Sequence, residues 1–553
     1  IQDNMLRKSP ESIQHDLFTS RTNMFKGKTL NIYNNSTAWH NLFLKQITMS
    51  IDEDVFKPLF SDKQGRPSSS IRVLVAMMIL KESEGMSDQK LFENCRFNSL
   101  YSSALGLLNA DDVLPTESTY YLFRKNIVEY EKEKGVDLFS EVFSRITKKQ
   151  CLEFDVSGKS VRMDSKLLGS NIAWMSRYEL ILKTLQLYYK DIAEVSGLDL
   201  NIKNKLENLF NEEGSKVVYR HTSSEIKAFI VELGSLIDSV LNLNLETEIE
   251  SYKTLKRVFE EQYKLVEQTV LPKEKEEISS TSVQSPFDTD CTYRNKGGNG
   301  QKQQQIKGYA INITETCDDE SLNLITKVNT QVATTSDVDF LEKDLEESQE
   351  IVPDKIENVH ADGAYNSTDN QYYCEEKEMN LYLHAIQGSK GKYAYKYVDD
   401  KLKIVNTQTN ETIEYTEIVT KKGELKWRIK ENGRYRYITK KEIDTYFVRQ
   451  EIEKTSPEIL QKRNNVEATI FQLGYHYPNA KSRYRGLMKH KMWANLRSLW
   501  INFVRILKFV GEMPTKIASS IKIKISLTFL ILSKLFFTQN PIQKQNSLSV
   551  IQN

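Results

Sequence analysis

The chain has 553 residues, with 76 Lys and Arg against 75 Asp and Glu and a formal net charge of +1. Hydrophobic residues make up 39% and aromatic residues 10% of the chain, which excludes a disordered protein, and 22 Gly with 11 Pro exclude a collagen-like or low-complexity one. At roughly 150 residues per domain, the length predicts two to four domains. The near-zero charge excludes a uniformly basic surface, but it excludes neither nucleic acid nor membrane as a partner.

Cysteine spacing and apolar segments indicate the compartment. The five cysteines are far apart and none has C-x-x-C spacing, so neither a disulfide framework nor a thiolate zinc site is expected. The first residues lack the apolar run of a signal peptide. The most apolar late segment, 525–537, contains Lys534 and is shorter than the roughly 20 residues that a bilayer span requires. We therefore expect a soluble protein of a reducing compartment with no membrane partner.

Residues 1–150 are predicted to form a helical N-terminal domain. Apolar residues recur there with helical spacing, and capping residues and Gly85 mark the helix ends. Short helices joined by tight turns fit a helix-turn-helix-like DNA-binding module and an ordinary helical bundle equally well. The helices are expected over 68–85, 87–97 and 116–133, the second capped by Ser87 and the third by Thr116 or Ser118.

From residue 151 onward, strands alternate with helices after an initial hairpin, which predicts an α/β sheet of mixed direction. Residues 177–270 are predicted to be almost entirely helical, and 390–445 alternate with period two and contain Asn432-Gly433, the strongest short hairpin signal. Both blocks are interpreted as insertions in the sheet domain. The strands of the sheet are expected over 159–168, 307–316, 323–332, 355–365 and 380–388, with helices over 337–350 and 368–378.

Phosphate-binding and zinc-protease motifs are absent from the sequence. Gly297-Gly298-Asn299-Gly300 is followed by Gln and Lys residues rather than by a helix start, so it predicts a flexible turn. No H-E-x-x-H motif occurs, and the seven histidines are scattered along the chain. Carboxylates are therefore the remaining candidates for catalytic groups.

Three acidic residues have unusual contexts. Asp164 lies within an apolar and basic strand, Asp362 ends a strand and precedes Gly363, and Glu467 follows Arg463 by one turn on an apolar helix. Each is costly to bury alone, but together they are stable if their oxygens hold hard divalent cations. Two such ions about 4 Å apart activate a water or a 3′-hydroxyl and stabilise the leaving oxygen of a phosphodiester. Taken alone, each acid is better interpreted as a surface or salt-bridged carboxylate, so the three contexts allow a metal-dependent phosphodiester chemistry but do not select it.

Four blocks carry these acids or lie between them, and a fifth precedes them. They are 161–181 with the first Asp, 288–316 with a hairpin, 359–367 with the second Asp, 463–506 with the Glu and a basic extension, and 65–127 in the N-terminal domain. As a set they resemble the DDE transposases of bacterial insertion sequences. The resemblance implies a ribonuclease-H-like mixed α/β sheet core over 151–510, after the helical domain 1–150 and before a basic tail 511–553.

The resemblance also implies the roles of individual residues. Asp164, Asp362 and Glu467 match the catalytic triad that binds Mg²⁺, for which Mn²⁺ can substitute. Related enzymes often carry a Y-x-x-R-x-x-x-E-x-x-x-x-x-x-K signature around the glutamate, and Arg463 fits its arginine. The tyrosine position holds Leu460 and the lysine position holds Gly474. Lys481 and Arg483 are the alternatives for that lysine.

The charge is distributed unevenly along the chain. Residues 477–553 carry a net charge of +12, because Glu512 is their only acid, and the preceding residues carry −11. Basic residues interleaved with Tyr484, Trp493 and Trp500 are suited to DNA phosphates. The residues predicted to bind DNA are Arg463, Lys481, Arg483, Arg485, Lys489 and Arg497.

Together these features predict a cut-and-paste transposase acting on double-stranded DNA. Its N-terminal domain and basic tail are expected to hold the terminal inverted repeats, and its core to cut the element ends and join them to target DNA. The resemblance implies a homodimer on DNA and a bacterial, nucleoid-associated location in the cytoplasm. The alternatives are a transposase-derived DNA-binding protein that no longer cuts, a ribonuclease-H-like nuclease with another DNA substrate, and a helical scaffold with incidental acids.

Overall fold

A computed structural model describes most of the chain. The described residues are 4–6, 8–10, 13–61, 66–195, 198–297, 303–386, 388, 390–398, 401–420, 423–431 and 433–538. Side chains are described up to residue 512, except at 4, 5, 66 and 67. Most of the turn expected at 297–300, Asn432 of the expected hairpin and the end of the basic tail lie outside the described residues.

Helices and strands are numbered in chain order. The helices are α1 (Gly27–Tyr33), α2 (Trp39–Gln46), α3 (Ile71–Ser83), α4 (Asp88–Phe97), α5 (Ser99–Ala104), α6 (Glu117–Lys134), α7 (Leu138–Glu153), α8 (Arg177–Ile192), α9 (Leu200–Phe210), α10 (Gly214–Arg220), α11 (Ser223–Leu241), α12 (Glu250–Gln262), α13 (Leu341–Gln349), α14 (Thr368–Glu376), α15 (Lys440–Lys454), α16 (Pro457–Gln461), α17 (Asn464–Gly474) and α18 (Leu487–Thr538). The strands are β1 (Asn4–Met5), β2 (Arg66–Pro67), β3 (Ser160–Gly169), β4 (Tyr263–Val266), β5 (Thr269–Pro272), β6 (Thr292–Lys296), β7 (Gln304–Thr316), β8 (Ile325–Val332), β9 (Asn358–Ala361), β10 (Asn380–Leu383), β11 (Tyr393–Val398), β12 (Lys401–Asn406), β13 (Thr412–Ile413), β14 (Tyr415–Val419), β15 (Leu425–Glu431) and β16 (Arg434–Thr439).

The N-terminal helices begin at the capping residues that the sequence indicates. The side chain of Ser70 accepts a hydrogen bond from the backbone N–H of Val73 at the start of α3, and Ser87 does the same for α4. Thr116, rather than Ser118, caps α6. Each cap satisfies a backbone N–H that has no partner within the helix. The predicted helical N-terminal region is confirmed.

The central sheet is mixed, as predicted. The strand order is β10-β9-β3-β7, and β6 and β8 both pair with β7. Strand β3 runs antiparallel to β7 and parallel to β9, while β9 and β10 are parallel to each other. Strand β3 therefore lies in the middle of the sheet, between the antiparallel strands and the parallel ones.

The block 177–270, which the sequence suggests is an insertion, is helical apart from its end. Helices α8–α12 enclose an apolar core of their own, but residues 263–272 form the hairpin β4–β5 rather than the end of the predicted helix. The ring of Tyr263 packs where a side chain at Gly234 would stand, and its hydroxyl donates to the carbonyl of Ile230 at 2.8 Å. This packing on α11 ends α12 at Gln262 and overrides the local helical preference.

The block 390–445 is a β structure up to Thr439, as predicted, but its last residues begin the helix α15. Strands β11–β13 and β14–β16 form two antiparallel three-stranded sheets. Residues on the inner faces, including Trp427 and Ile404, share one apolar cluster with Ile443 of α15. Helix α15 then leads the chain back towards the central sheet.

One apolar core joins the N-terminal helices to the sheet. Its buried residues come from α2–α7, from β7 and β8, and from the first half of α18, including Trp493 and Phe503. The side-chain amide of Asn502 on α18 also bonds both backbone groups of Ile325, at 2.8 and 2.9 Å. The start of the basic segment is therefore a core helix. None of the helices in the described part of the chain is long and apolar enough to cross a membrane.

Candidate active site

Strand β3 carries Asp164 at the centre of the sheet. The side chain is 16% exposed, and its Oδ1 accepts a hydrogen bond of 2.9 Å from the backbone N–H of Ser165. Burial raises the pKa of Asp164 to about 6, although Arg463 acts in the opposite direction. The Arg463 guanidinium thus offsets part of the effect that burial has on the pKa of this carboxyl.

Asp362 follows β9 and starts a 3-10 turn. Because Arg162 of β3 pairs with His360 of β9, the same parallel register brings Asp362 next to Asp164. The Oδ1 of Asp362 accepts a hydrogen bond of 2.6 Å from the backbone N–H of Gly363. A Cβ atom at Gly363 would stand 1.6 Å from the carbonyl oxygen of Ala385, so only glycine fits after this aspartate.

Glu467 lies in the first turn of α17. Val466 and Leu473 bury the opposite side of this helix in the core, and the side chain of Glu467 remains 62% exposed. The exposed fraction is 45% for the side chain of Asp362 and 16% for that of Asp164. The site therefore opens to solvent on the side of Glu467.

The guanidinium of Arg463 joins the three acids. Its Nη2 lies 3.0 Å from the Oδ2 of Asp164 and 3.5 Å from the Oδ2 of Asp362, and its Nη1 lies 3.1 Å from the Oε1 of Glu467. Arg463 itself is 9% exposed. Three acids that are far apart in the sequence thus converge on one buried cation, which offsets their mutual repulsion.

A buried ion network, which the sequence does not indicate, fixes α17 on the sheet. Glu315 of β7 is fully buried and accepts from Arg162 at 2.6 Å, from Arg505 at 2.7 Å and from the hydroxyl of Thr469 at 2.8 Å. Burial alone raises the pKa of Glu315, but Arg505 and Arg162 outweigh it and hold the pKa below its ordinary value. The partners lie on β3, α17 and α18, so no local pattern could have revealed them.

A second set of hydrogen-bonded polar side chains begins at Ser165, the residue that follows Asp164. The hydroxyl of Ser165 donates to Asp337 at 2.6 Å, and the buried hydroxyl of Tyr365 donates to Asn312 at 2.6 Å. Asn312 in turn donates to the buried Asp344 at 2.6 Å. These bonds connect β3, β7 and the turn after Asp362, and they hold the two aspartates in register.

Lys166 is a cation beside α17 that sequence reasoning missed. It follows Asp164 by two residues, on the same face of β3. Its Nζ fills the space beside Gly474 of α17, where a Cβ atom would stand 2.7 Å away. Burial lowers the pKa of Lys166. The structure thus places an ammonium group at the position where the signature carries its lysine.

Neither Lys481 nor Arg483, the two alternatives for the signature lysine, reaches the three acids. The Nζ of Lys481 donates to the carbonyl of Ile172 at 2.8 Å, and Arg483 donates to the carbonyl of Gly85. Both side chains are exposed, as are Arg485, whose Nε donates to Asn171 at 2.7 Å, and Lys489. These four cations follow one another along the surface between α17 and the second turn of α18.

Arg497 does not lie on that surface, contrary to its predicted role in DNA binding. It is 6% exposed, and its guanidinium donates to the carbonyls of Glu82 at 2.8 Å, Ser83 at 2.5 Å and Gln472 at 2.8 Å. It thereby ties the end of α3 to α17. Trp493 is likewise buried, and the hydroxyl of Tyr484 bonds Glu82. Charge counting missed this because it carries no information on burial.

Comparison with known proteins identifies the N-terminal region. Residues 32–126, from the end of α1 into α6, match the family described as Transposase domain (DUF772). The match supports a transposase of the insertion-sequence type. No curated protein and no solved structure matches the chain. The matched residues pack on the same apolar core as α18, the helix that follows α17 in the chain.

The donor chemistry of the three acids suits a hard divalent cation, since all three offer carboxylate oxygens. Within the described residues, however, no three acidic, histidine or cysteine side chains stand close enough together to hold an ion. The guanidinium of Arg463 occupies the point on which the carboxylates converge. A cation at this site therefore has to share the carboxylates with Arg463 or displace it.

Proposed function

We propose that the chain is a DDE transposase that cuts DNA at the ends of an insertion sequence and joins them to target DNA. The convergence of Asp164, Asp362 and Glu467 on Arg463 carries the proposal. The mixed sheet formed by β3, the β6–β7 hairpin and β9, with α17 packed against β3, supports a ribonuclease-H-like core, because these elements carry the four sequence blocks that resemble DDE transposases. DNA is the partner that the transposase domain implies.

The three carboxylates would hold Mg²⁺, or Mn²⁺ in its place. When bound, the metal supplies a Lewis acid that activates water and then the freed 3′-hydroxyl and stabilises the leaving oxygen. Asp164 supplies a fixed, mostly buried carboxylate, while Asp362 and Glu467 face the solvent from which DNA approaches. The buried network around Glu315 positions α17, so that Glu467 stays in reach of the aspartates. Positioning and charge account for such a reaction without a covalent nucleophile.

Exposed cations support the proposed contact with DNA. Lys481, Arg483, Arg485 and Lys489 lie on the surface beyond α17, where they can neutralise backbone phosphates of terminal inverted repeats. The match of residues 32–126 supports a role of the N-terminal helices in the same binding. A homodimer on two element ends, in the bacterial nucleoid, is part of the proposal.

Asp362→Asn tests the catalytic role. A plasmid that carries the element with its flanking DNA is incubated with purified protein and Mg²⁺, and cut and joined products are measured. The substitution is expected to abolish both products while DNA binding stays within about twofold of wild type, because the amide keeps the shape but not the charge. Asp369→Asn, an exposed acid in the first turn of α14, is the matched control and should cut normally.

The other outcomes favour the alternative functions. Hydrolysis without joined products would favour a nuclease with another DNA substrate. Binding without cleavage by the wild-type protein would favour a transposase-derived DNA-binding protein. Equal cutting by wild type and Asp362→Asn would refute the triad.

A further inference from the structure

A stripe of side chains runs along α17 from the candidate catalytic glutamate. Phe471 and Gly474 follow Glu467 by four and seven residues, and Tyr475, the C-cap residue of α17, follows Phe471 by four, so these residues lie on one side of the helix. We call these residues, together with Lys166 beside Gly474, the α17 stripe. At a rise of 1.5 Å per residue, the stripe extends about 12 Å from Glu467 along the helix axis.

The two aromatic residues of the stripe are unusually exposed. Phe471 is 63% and Tyr475 is 65% exposed, and their ring centroids lie 5.7 Å apart in an edge-to-face arrangement. Because both rings are exposed to water, the protein does not gain the favourable free energy that burial of their apolar surface would provide. Their position one and two turns after Glu467 points to a ligand that reaches the site along this side of α17.

Lys166 supplies the charge of the stripe. Within the described residues its ammonium has neither a carboxylate nor a hydrogen-bond partner, although it is half-buried. Gly474 leaves the space that the ammonium occupies, since a side chain there would push it away. A half-buried cation without a counter-ion, beside Gly474 on the side of α17 that carries the exposed rings, suits a phosphate attached to a base.

We propose that the α17 stripe binds an unpaired DNA strand next to the scissile position, with Lys166 on a phosphate and Phe471 and Tyr475 stacked on bases. The inference rests on the proposed function, since it assigns the strand to a cut end. An unpaired strand fits better than duplex DNA, because the faces of bases become available to aromatic rings only when the bases are unstacked.

The role of Phe471 and Tyr475 is tested by measuring whether the protein prefers DNA with an unpaired extension over blunt DNA. The probes are a blunt fluorescent duplex of about 20 base pairs and the same duplex with a 3′ extension of about six thymidines. The full chain, without divalent metal, is expected to bind the extended probe at least about tenfold more tightly, and Phe471→Leu with Tyr475→Leu to abolish this preference. Tyr219→Leu, at an aromatic residue that is 92% exposed on α10, is the control and should keep it.

Lys166 is tested by the salt dependence of binding to the extended probe. Lys166→Gln is expected to reduce the slope of log K against log salt by about 0.7, the value for one single-strand phosphate contact, and Lys166→Arg to retain it. Lys256→Gln, at an exposed lysine of α12, is the matched control and should leave the slope unchanged. An unchanged slope for Lys166→Gln, or an unchanged preference for the double leucine variant, would overturn the proposal.

A protein partner on the stripe is the competing outcome. If the leucine variant changes the sedimentation mass of the protein but not its preference between probes, the stripe is a contact between copies of the chain and the proposal fails. The variant Asp362→Asn separates this test from that of the proposed function. Asp362→Asn should bind both probes like wild type. If it loses cleavage but keeps the preference for the extended probe, the result bears on the triad alone. If the double leucine variant loses that preference but still cleaves, the result bears on the stripe alone.

Discussion

The Nη2 of Arg463 lies 3.0 Å from the Oδ2 of Asp164, and this pair is the centre of the candidate site. Both side chains are largely buried, and the same guanidinium reaches Asp362 and Glu467. Arg463 therefore takes the part of a counter-ion for carboxylates that would otherwise repel one another. A metal that binds these carboxylates has to compete with it.

Arg463→Gln tests this competition. Without the guanidinium, the metal-free protein is expected to lose about 1–3 kcal/mol of unfolding free energy, because three carboxylates are left without a cation. Added Ca²⁺ should stabilise the variant more than the wild type, since the ion no longer competes with an internal charge. Urea unfolding with and without Ca²⁺ measures both effects. An equal gain from Ca²⁺ in the two proteins would show that Arg463 and the ion do not share the carboxylates.

Glu131 predicts a pH dependence of stability far from the active site. It is 4% exposed, and its Oε1 accepts from the Nζ of Lys491 at 3.0 Å, which links α6 to α18. Burial, with a smaller contribution from Asp137, raises the pKa of Glu131 to about 7 against the opposing effect of Lys491. Because the folded pKa exceeds the unfolded one, this group lowers stability as the pH rises from about 4.5 to 7, and the loss persists above 7.

Glu131→Gln removes that titration. The difference in unfolding free energy between variant and wild type should shift in favour of the variant by roughly 1 kcal/mol per pH unit between pH 4.5 and 7 and then level off. Urea unfolding at a series of pH values measures it. Glu129→Gln, at an exposed acid of the same helix, is the control for the loss of a carboxylate from α6. If the unfolding free energies of Glu131→Gln and wild type changed with pH in parallel, that result would contradict the raised pKa of Glu131.

Much of the fold was predictable because its signals are local. Capping residues indicated the starts of α4 and α6, and alternation indicated the strands of the second insertion. The hairpin β4–β5 was missed because its turn has positive φ at Glu267 and Gln268, where no glycine or asparagine signals it. Packing of Tyr263 against α11 decides this hairpin, and sequence spacing does not show such contacts.

The candidate site was only partly predictable. The contexts of Asp164, Asp362 and Glu467 are local, so the sequence indicated all three. The contacts that hold them are not local: Glu315 bonds Arg162 and Arg505 across 153 and 190 residues. The place of Lys166 beside Gly474 and the burial of Arg497 likewise depend on three-dimensional packing. Residue types are visible in the sequence, but their burial and partners are not.

Arg497 is predicted to act in folding and not in DNA binding. Arg497→Lys should lower the unfolding free energy by about 1–3 kcal/mol, because one ammonium cannot reach the three carbonyls that the guanidinium spans. The salt dependence of DNA binding should not change. The matched variant Lys489→Gln, at an exposed residue, should show the reverse: normal stability and a salt slope reduced by about 0.9. A reduced slope for Arg497→Lys would restore Arg497 to the DNA-binding surface.

Gly363 is predicted to be indispensable for placing Asp362. In Gly363→Ala, the Cβ atom would stand 1.6 Å from the carbonyl oxygen of Ala385, and a backbone atom cannot move aside as a side chain can. We expect a loss of about 1–3 kcal/mol in unfolding free energy. Cleavage should also fall, because the N–H of Gly363 holds the carboxylate of Asp362 at 2.6 Å and moves with the turn. Urea unfolding and plasmid cleavage measure the two effects.

Gly391→Ala is the control for that substitution. The nearest atoms to a Cβ at Gly391 are 3.9 Å away, so its cost should stay below about 0.5 kcal/mol and cleavage should remain normal. If Gly363→Ala were as stable and as active as this control, the turn after β9 would have room that the structure denies it. The position of Asp362 beside Asp164 would then not depend on the close approach of Ala385.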